Sequence, residues 1–108
     1  MMDIPDVVRV ACFDVRVERW GGRQAHAETS FGEFSQEECV IRIDATLPGP
    51  MLLNFFLHEL FHAIYWAYGI CDEDKEERLC GVLSTGLAQV LRDNPELVKW
   101  LGEMRGGG

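Results

Sequence analysis

A chain of 108 residues with 47% hydrophobic content is long enough for one packed domain and is unlike a disordered protein. Its formal net charge of −8 argues against a nucleic-acid partner, because phosphate backbones bind clustered lysine and arginine. The N-terminus lacks a signal pattern, and the apolar run at residues 51–57 is too short to cross a membrane. We therefore expect a cytoplasmic protein with no membrane partner, one domain over residues 1–105 and a flexible tail at 106–108.

Alternation of apolar and polar residues predicts β-strands in the first half of the chain. Residues 7–20 predict a first strand, with a slip of phase near Phe13 that indicates either a bulge or noise. Residues 24–35 predict a weaker second strand leading to a turn near Gly32, and residues 38–46 predict a third. Because the connections are short, we expect a small three-stranded, mostly antiparallel sheet.

Proline and glycine residues divide the second half into three helices. The first should run from about residue 50 to 68, with Gly69 as its C-cap. The second should begin at an N-cap at residue 72 and end near 92, and Asn-Pro at 94–95 starts a short third helix that ends near 103. The predicted fold class is α+β, with the second helix antiparallel to the first.

The first predicted helix contains the sequence His58-Glu59-Leu60-Phe61-His62, an H-E-x-x-H pattern. Residues four apart share a helix face, so both imidazoles can bind one zinc ion while Glu59 acts as base on a metal-bound water. The rest of this helix is largely apolar, which predicts burial and one polar stripe formed by Asn54, His58 and His62. Such a stripe needs hydrogen bonds, a metal or a water-filled cleft. The plainer alternative is two core histidines with satisfied hydrogen bonds.

A catalytic zinc site usually has three protein ligands and one open position for water. An acidic residue in the first turns of the second helix can reach the metal if that helix packs on the first. The candidates are Glu73, Asp74, Glu76 and Glu77. We prefer Glu77, with Glu76 as the alternative, because Glu77 shares its face with small side chains that allow close approach. These are Gly81, Ser84, Thr85 and Ala88.

Three parts of the sequence resemble small single-domain zincin-like proteins of phages and bacteria. They are the run Leu57-His58-Glu59-Leu60-Phe61-His62-Ala63-Ile64, the pair Glu76-Glu77 and the run Leu91-Arg92-Asp93-Asn94-Pro95-Glu96-Leu97. These zincin-like proteins are distantly similar to the ImmA/IrrE group and belong to the gluzincin type. Residues 32–44 also resemble their sheet. The resemblance implies a zinc-dependent peptidase with a peptide or protein substrate. It implies His58 and His62 as ligands, Glu59 as base and Glu77 as the third ligand.

If the protein is an enzyme, zinc lowers the pKa of its bound water, and Glu59 accepts the proton and passes it to the leaving amine. Tyr65 or His26 could donate a hydrogen bond to the oxyanion. A substrate strand could pair with an exposed edge of the sheet, for which we predict residues 39–44.

Two other functions are compatible with the same residues. The histidines could join Cys71 and Cys80 in a structural Cys₂His₂ zinc site. Alternatively, a zincin-like fold with weak or no catalytic activity could serve only in binding or regulation.

Overall fold

The computed structural model describes residues 4–21, 31–70 and 73–103. Four strands form one sheet: β1 (Val7–Val10), β2 (Phe13–Trp20), β3 (Gly32–Ser35) and β4 (Val40–Asp44). Three helices follow in the described residues: α1 (Gly49–Ala67), α2 (Glu73–Asp93) and α3 (Pro95–Glu103). The α+β class and the three predicted helices are confirmed. The strand expected at residues 24–35 is described only from residue 31 and contains β3. Its first part, the N-cap at Asp72 and the tail at 106–108 lie outside the described residues.

The sheet is mixed and has the strand order β1-β2-β4-β3. β1 pairs antiparallel with β2, and β3 pairs antiparallel with β4, but β2 and β4 are parallel. The prediction of three strands was therefore wrong in number, and the predicted mostly antiparallel sheet did not include the parallel pairing of β2 with β4. Short connections do link the two antiparallel pairs, whereas a long connection containing β3 separates β2 from β4 and allows them to run parallel.

The slip of phase near Phe13 marks a turn between two strands. Val10 pairs with Phe13, so Ala11 and Cys12 form a two-residue hairpin loop, with a φ of 54° at Ala11. A positive φ in such a loop matches the right-handed twist of the flanking strands. The single strand predicted over residues 7–20 is thus a hairpin. Gly32, predicted near a turn, instead begins β3.

β4 is an interior strand, so the prediction that residues 39–44 form an exposed edge was wrong. It lies between β2 and β3, and Val40, Ile41 and Ile43 are fully buried. A strand buried on both faces has a nearly continuous apolar sequence, which the run Val40-Ile41-Arg42-Ile43 shows. The edges of the described sheet are β1 and β3.

Arg42 connects the strands around β4 through three carboxylates. Its guanidinium lies 2.9 Å from Glu18 on β2 and 2.7 Å from Glu33 on β3, and it also contacts Glu38. These acidic partners, Glu38 and Glu33 foremost, raise the pKa of Arg42 above its ordinary value. The cluster therefore fixes β3 laterally against the rest of the sheet.

α1 lies on the sheet with every residue from 52 to 67 buried or half-buried, as its apolar sequence predicts. Phe56 and Ala63 join Val15, Ile41 and Ile43 in the hydrophobic core. The C-cap is Tyr68, one residue before the predicted Gly69. Gly69 follows it with a φ of 69°, and its N–H donates to the carbonyl of Trp66 at 3.2 Å, which is the usual place of a glycine at a helix end. Among the described residues, no helix is long and apolar enough to cross a membrane.

α2 packs antiparallel on α1 through its small side chains, as predicted. Successive contacts run in opposite directions along the two helices: His62 meets Glu76, His58 meets Gly81, and Asn54 meets Thr85. A Cβ atom added to Gly81 would lie 3.9 Å from Cε1 of His58. Ser84 and Ala88 on the same face are almost completely buried. This close approach brings the acidic start of α2 beside the two histidines.

Candidate metal centre

Three side chains from α1 and α2 converge on one point. The Nε2 atoms of His58 and His62 lie 3.2 Å apart. The carboxylate of Glu77 spans both, with Oε1 2.8 Å from His58 Nε2 and Oε2 2.9 Å from His62 Nε2. One ligand atom from each residue lies within 4.8 Å of the other two. Two imidazole nitrogens and one carboxylate oxygen are a donor set that catalytic zinc sites use, so the residues fit a zinc ion.

Glu76 contacts the opposite edge of the His62 ring. Its Oε2 lies 2.6 Å from Nδ1 of His62, whereas Glu77 faces Nε2. When Nδ1 carries the proton and donates it to Glu76, the lone pair of Nε2 points at the shared point. The two glutamates left open as third ligand thus have different positions: Glu77 lies near both histidines, and Glu76 lies behind one of them.

Glu59 lies beside the ligand set and is buried, with 8% of its surface exposed. Burial is the main cause that raises its pKa to about 7, and the charges of Glu77 and Glu33 add to the increase. The charge of His62 acts in the opposite direction. A carboxyl group with a pKa near neutrality can both accept and release a proton, which is what a general base and acid must do.

Gly32 on β3 lets the sheet approach Glu59 closely. A Cβ atom added to Gly32 would lie 2.9 Å from Cδ1 of Ile43, 3.0 Å from the carbonyl oxygen of Arg42 and 3.3 Å from Cγ of Glu59. A larger residue would have to push one of these groups aside. The sequence analysis did not predict this role, although an isolated glycine in a strand is a known sign of close approach.

A cavity of about 820 Å³ lies over the candidate centre. One part of it is lined by His58, Glu59, His62, Glu76 and Glu77. Another part is lined by Phe31, which precedes β3, and by residues 32–34 of β3. Tyr65, predicted as an oxyanion donor, lines the same cavity and is buried. His26, the other candidate donor, lies outside the described residues. The cavity is as large as typical small-molecule and peptide pockets.

The cysteines of the alternative zinc site are placed differently. Cys80 forms a second possible ligand group with His62 and Glu76, and His58 is not a member of it. Burial raises the pKa of the Cys80 thiol to about 11, which disfavours the thiolate that binds metals. Cys71 lies outside the described residues.

Comparison of the chain with protein-family models, with curated proteins and with solved structures finds no match. The resemblance carried by the H-E-x-x-H region therefore stays a hypothesis.

Proposed function

We propose that this protein is a zinc-dependent peptidase in which Glu59 is the general base. The observation that carries the proposal is the convergence of His58, His62 and Glu77 beside a buried carboxyl group. A structural zinc site uses four protein ligands, whereas this set supplies three and opens into a cavity. Three ligands with space beside them are the arrangement of a catalytic site.

The three residues would hold zinc through Nε2 of each histidine and the carboxylate of Glu77. When bound, zinc supplies an activated water molecule and polarises the carbonyl of the substrate. Glu76 holds the ring of His62 through Nδ1 and strengthens its Nε2 as a donor. The two adjacent glutamates in the first turns of α2 thus have different roles.

Glu59 moves the proton in the proposed reaction. Its carboxylate accepts a proton from the attacking water and then transfers it to the leaving amine. In the metal-free protein burial raises the pKa of this carboxyl group to about 7, and a neighbouring zinc ion would favour the carboxylate that accepts the proton. Tyr65 lines the same cavity, and we assign it as the donor that stabilises the oxyanion.

The substrate would be an extended peptide segment lying along β3. β3 is an edge strand of the described sheet and borders the cavity. An extended chain can add to a sheet edge through main-chain hydrogen bonds, which places its peptide bonds beside Glu59. Phe31 and Phe34 on this side of the cavity offer contacts to apolar side chains of the substrate.

The proposal is tested with zinc-loaded protein, a complex mixture of synthetic peptides and mass spectrometry of the products. We expect cleavage by the wild type and a loss of roughly 10²–10⁴-fold in the Glu59→Gln variant, which should retain zinc. Glu37→Gln, which changes an exposed glutamate, is the matched control and should cleave normally.

Two results would contradict this function. Zinc binding without cleavage by the wild type would favour a binding or regulatory protein. Loss of zinc in a Cys80→Ala variant would favour the structural zinc module.

A further inference from the structure

α2 has a second apolar face, which points away from α1. Leu79, Val82, Leu83 and Leu87 each expose more than a third of their surface on this side. α3 continues the pattern: none of its described residues is buried, and it exposes Val98, Trp100 and Leu101. We call these seven side chains the outer apolar face. A helix that buries one face in its own domain and exposes another apolar face has a surface suited to a further helix.

The outer face of α2 has the residue spacing of a helix–helix seam. Leu79, Leu83, Gly86 and Val90 follow one another at intervals of four, three and four residues. Alternating steps of four and three keep a stripe on one side of a helix that packs along another helix. A Cβ atom added to Gly86 would have no atom within 4 Å, so the backbone at the middle of the stripe is accessible to a close neighbour.

The exposed area approaches the size that an interface needs. At 37–63% exposure, the seven side chains together present roughly 600 Å² of apolar area, which is at the upper end of the largest patches on typical monomers. A standard protein–protein interface buries about 800 Å² on each partner.

Charged residues at the two ends of the stripe identify the occupant. Lys75 lies four residues before Leu79, and Asp93 lies three residues after Val90, on the same flank of the stripe. Both are exposed, and Gln89 donates a hydrogen bond of 2.9 Å to Asp93. In an antiparallel pair of identical helices, this flank of one helix lies against the same flank of the other helix. The N-terminal end of each flank then lies beside the C-terminal end of its partner. Lys75 then faces the partner's Asp93, and the contact occurs twice.

We propose that the protein forms a two-fold symmetric dimer in which α2 packs antiparallel on α2 of a second copy. In a parallel pair, Lys75 and Asp93 would lie at opposite ends of the seam and could not meet, so their contact favours the antiparallel arrangement. The ligand-bearing side of α2 faces α1, so the dimer leaves the cavity at the candidate centre accessible. The dimer does not depend on the proposed peptidase activity.

Sedimentation equilibrium of the full chain over a wide concentration range tests the dimer. We expect a reversible monomer–dimer equilibrium for the wild type. In Leu83→Asp the dissociation constant of the dimer should be at least about 100-fold higher, because a charge would be buried at the centre of the seam. Val7→Asp, at an exposed valine on β1, is the control and should dimerise like the wild type. Circular dichroism confirms that each variant is folded. The proposal would be overturned if the wild type were a monomer at every concentration, or if Leu83→Asp left the dissociation constant of the dimer unchanged.

A charge exchange tests the antiparallel arrangement. Lys75→Glu and Asp93→Lys should each weaken the dimer by about tenfold, since each places like charges together twice. The double variant restores opposite charges and should dimerise nearly as strongly as the wild type. Single variants that dimerise normally, or a double variant weaker than either single one, would overturn the antiparallel pairing.

Discussion

Nδ1 of His62 lies 2.6 Å from a carboxylate oxygen of Glu76, on the edge of the ring opposite to the atom that faces Glu77. A carboxylate in this position fixes the orientation of the imidazole and makes it a better metal donor. Adjacent residues of α2 therefore act on the two edges of one histidine.

Replacing Glu76 should weaken metal binding without removing a ligand. We expect Glu76→Gln to lower the zinc affinity by about 10–100-fold, because the neutral amide orients and polarises His62 less well. Competition titration against a fluorescent chelator measures this change. Asp74→Asn, at an exposed residue in the same turn of α2, should bind zinc like the wild type. Equal affinities for Glu76→Gln and the wild type would show that the contact does not support the metal.

The raised pKa of Glu59 makes the stability of the metal-free protein depend on pH. The folded state retains a proton up to about pH 7, whereas the unfolded chain releases it near 4.5. The free energy of unfolding should therefore fall as the pH rises between these values, by up to about 3 kcal/mol. Below this pH range the contribution of Glu59 to the free energy of unfolding is fully present, and above this range that contribution is lost.

Urea unfolding of the metal-free wild type and of Glu59→Gln at about pH 5 and about pH 8 isolates this effect. Glu59→Gln cannot ionise, so it should lose less stability over this range than the wild type. The other titrating groups are common to both proteins and cancel in the comparison. If both proteins show the same pH dependence, Glu59 does not have a raised pKa.

The close approach at Gly32 should make this position intolerant of a side chain. Gly32→Ala would place a methyl group 3.0 Å from the carbonyl oxygen of Arg42, and backbone cannot move aside without shifting β3. We expect a loss of about 1–3 kcal/mol in the free energy of unfolding, measured in urea. Gly49→Ala is the control, because a Cβ atom there meets no atom within 4 Å. A Gly32→Ala variant as stable as this control would contradict the packing described for β3.

Arg42 should stabilise the sheet through its ion pairs with three carboxylates. Arg42→Met leaves Glu18, Glu33 and Glu38 without their shared cation. The carboxylates are partly exposed, so we expect a loss of only about 1–2 kcal/mol at neutral pH. The loss should shrink at about 1 M salt, which screens the ion pairs. Unfolding experiments at low and high salt measure the difference, and a loss that is independent of salt would exclude the ionic contribution.

The helices and the candidate ligands could be predicted from the sequence because local geometry decides them. The four-residue spacing of His58 and His62 places them on one face of any helix, and the small residues after Glu77 predict which face of α2 packs on α1. The end of α1 at Gly69 and the start of α3 at Pro95 also depend only on local chemistry.

The sheet order could not be predicted because distant contacts decide it. The parallel pairing of β2 with β4 depends on burying Val40 and Ile41 between two other strands, and no local pattern specifies that neighbour. The hairpin turn at Ala11 lacks the glycine or asparagine that usually marks such a turn, so it looked like a slip of phase. The contact between Gly32 and Glu59 depends on the same sheet order.

The central claim is that His58, His62 and Glu77 bind one metal ion. Zinc content and affinity, measured for the purified wild type and for Glu77→Ala, test it most directly. We predict about one zinc per wild-type chain and an affinity at least tenfold lower in Glu77→Ala, with Asp74→Ala unchanged. A wild-type protein that does not bind zinc, or a Glu77→Ala variant that binds zinc as tightly as the wild type, would contradict the claim.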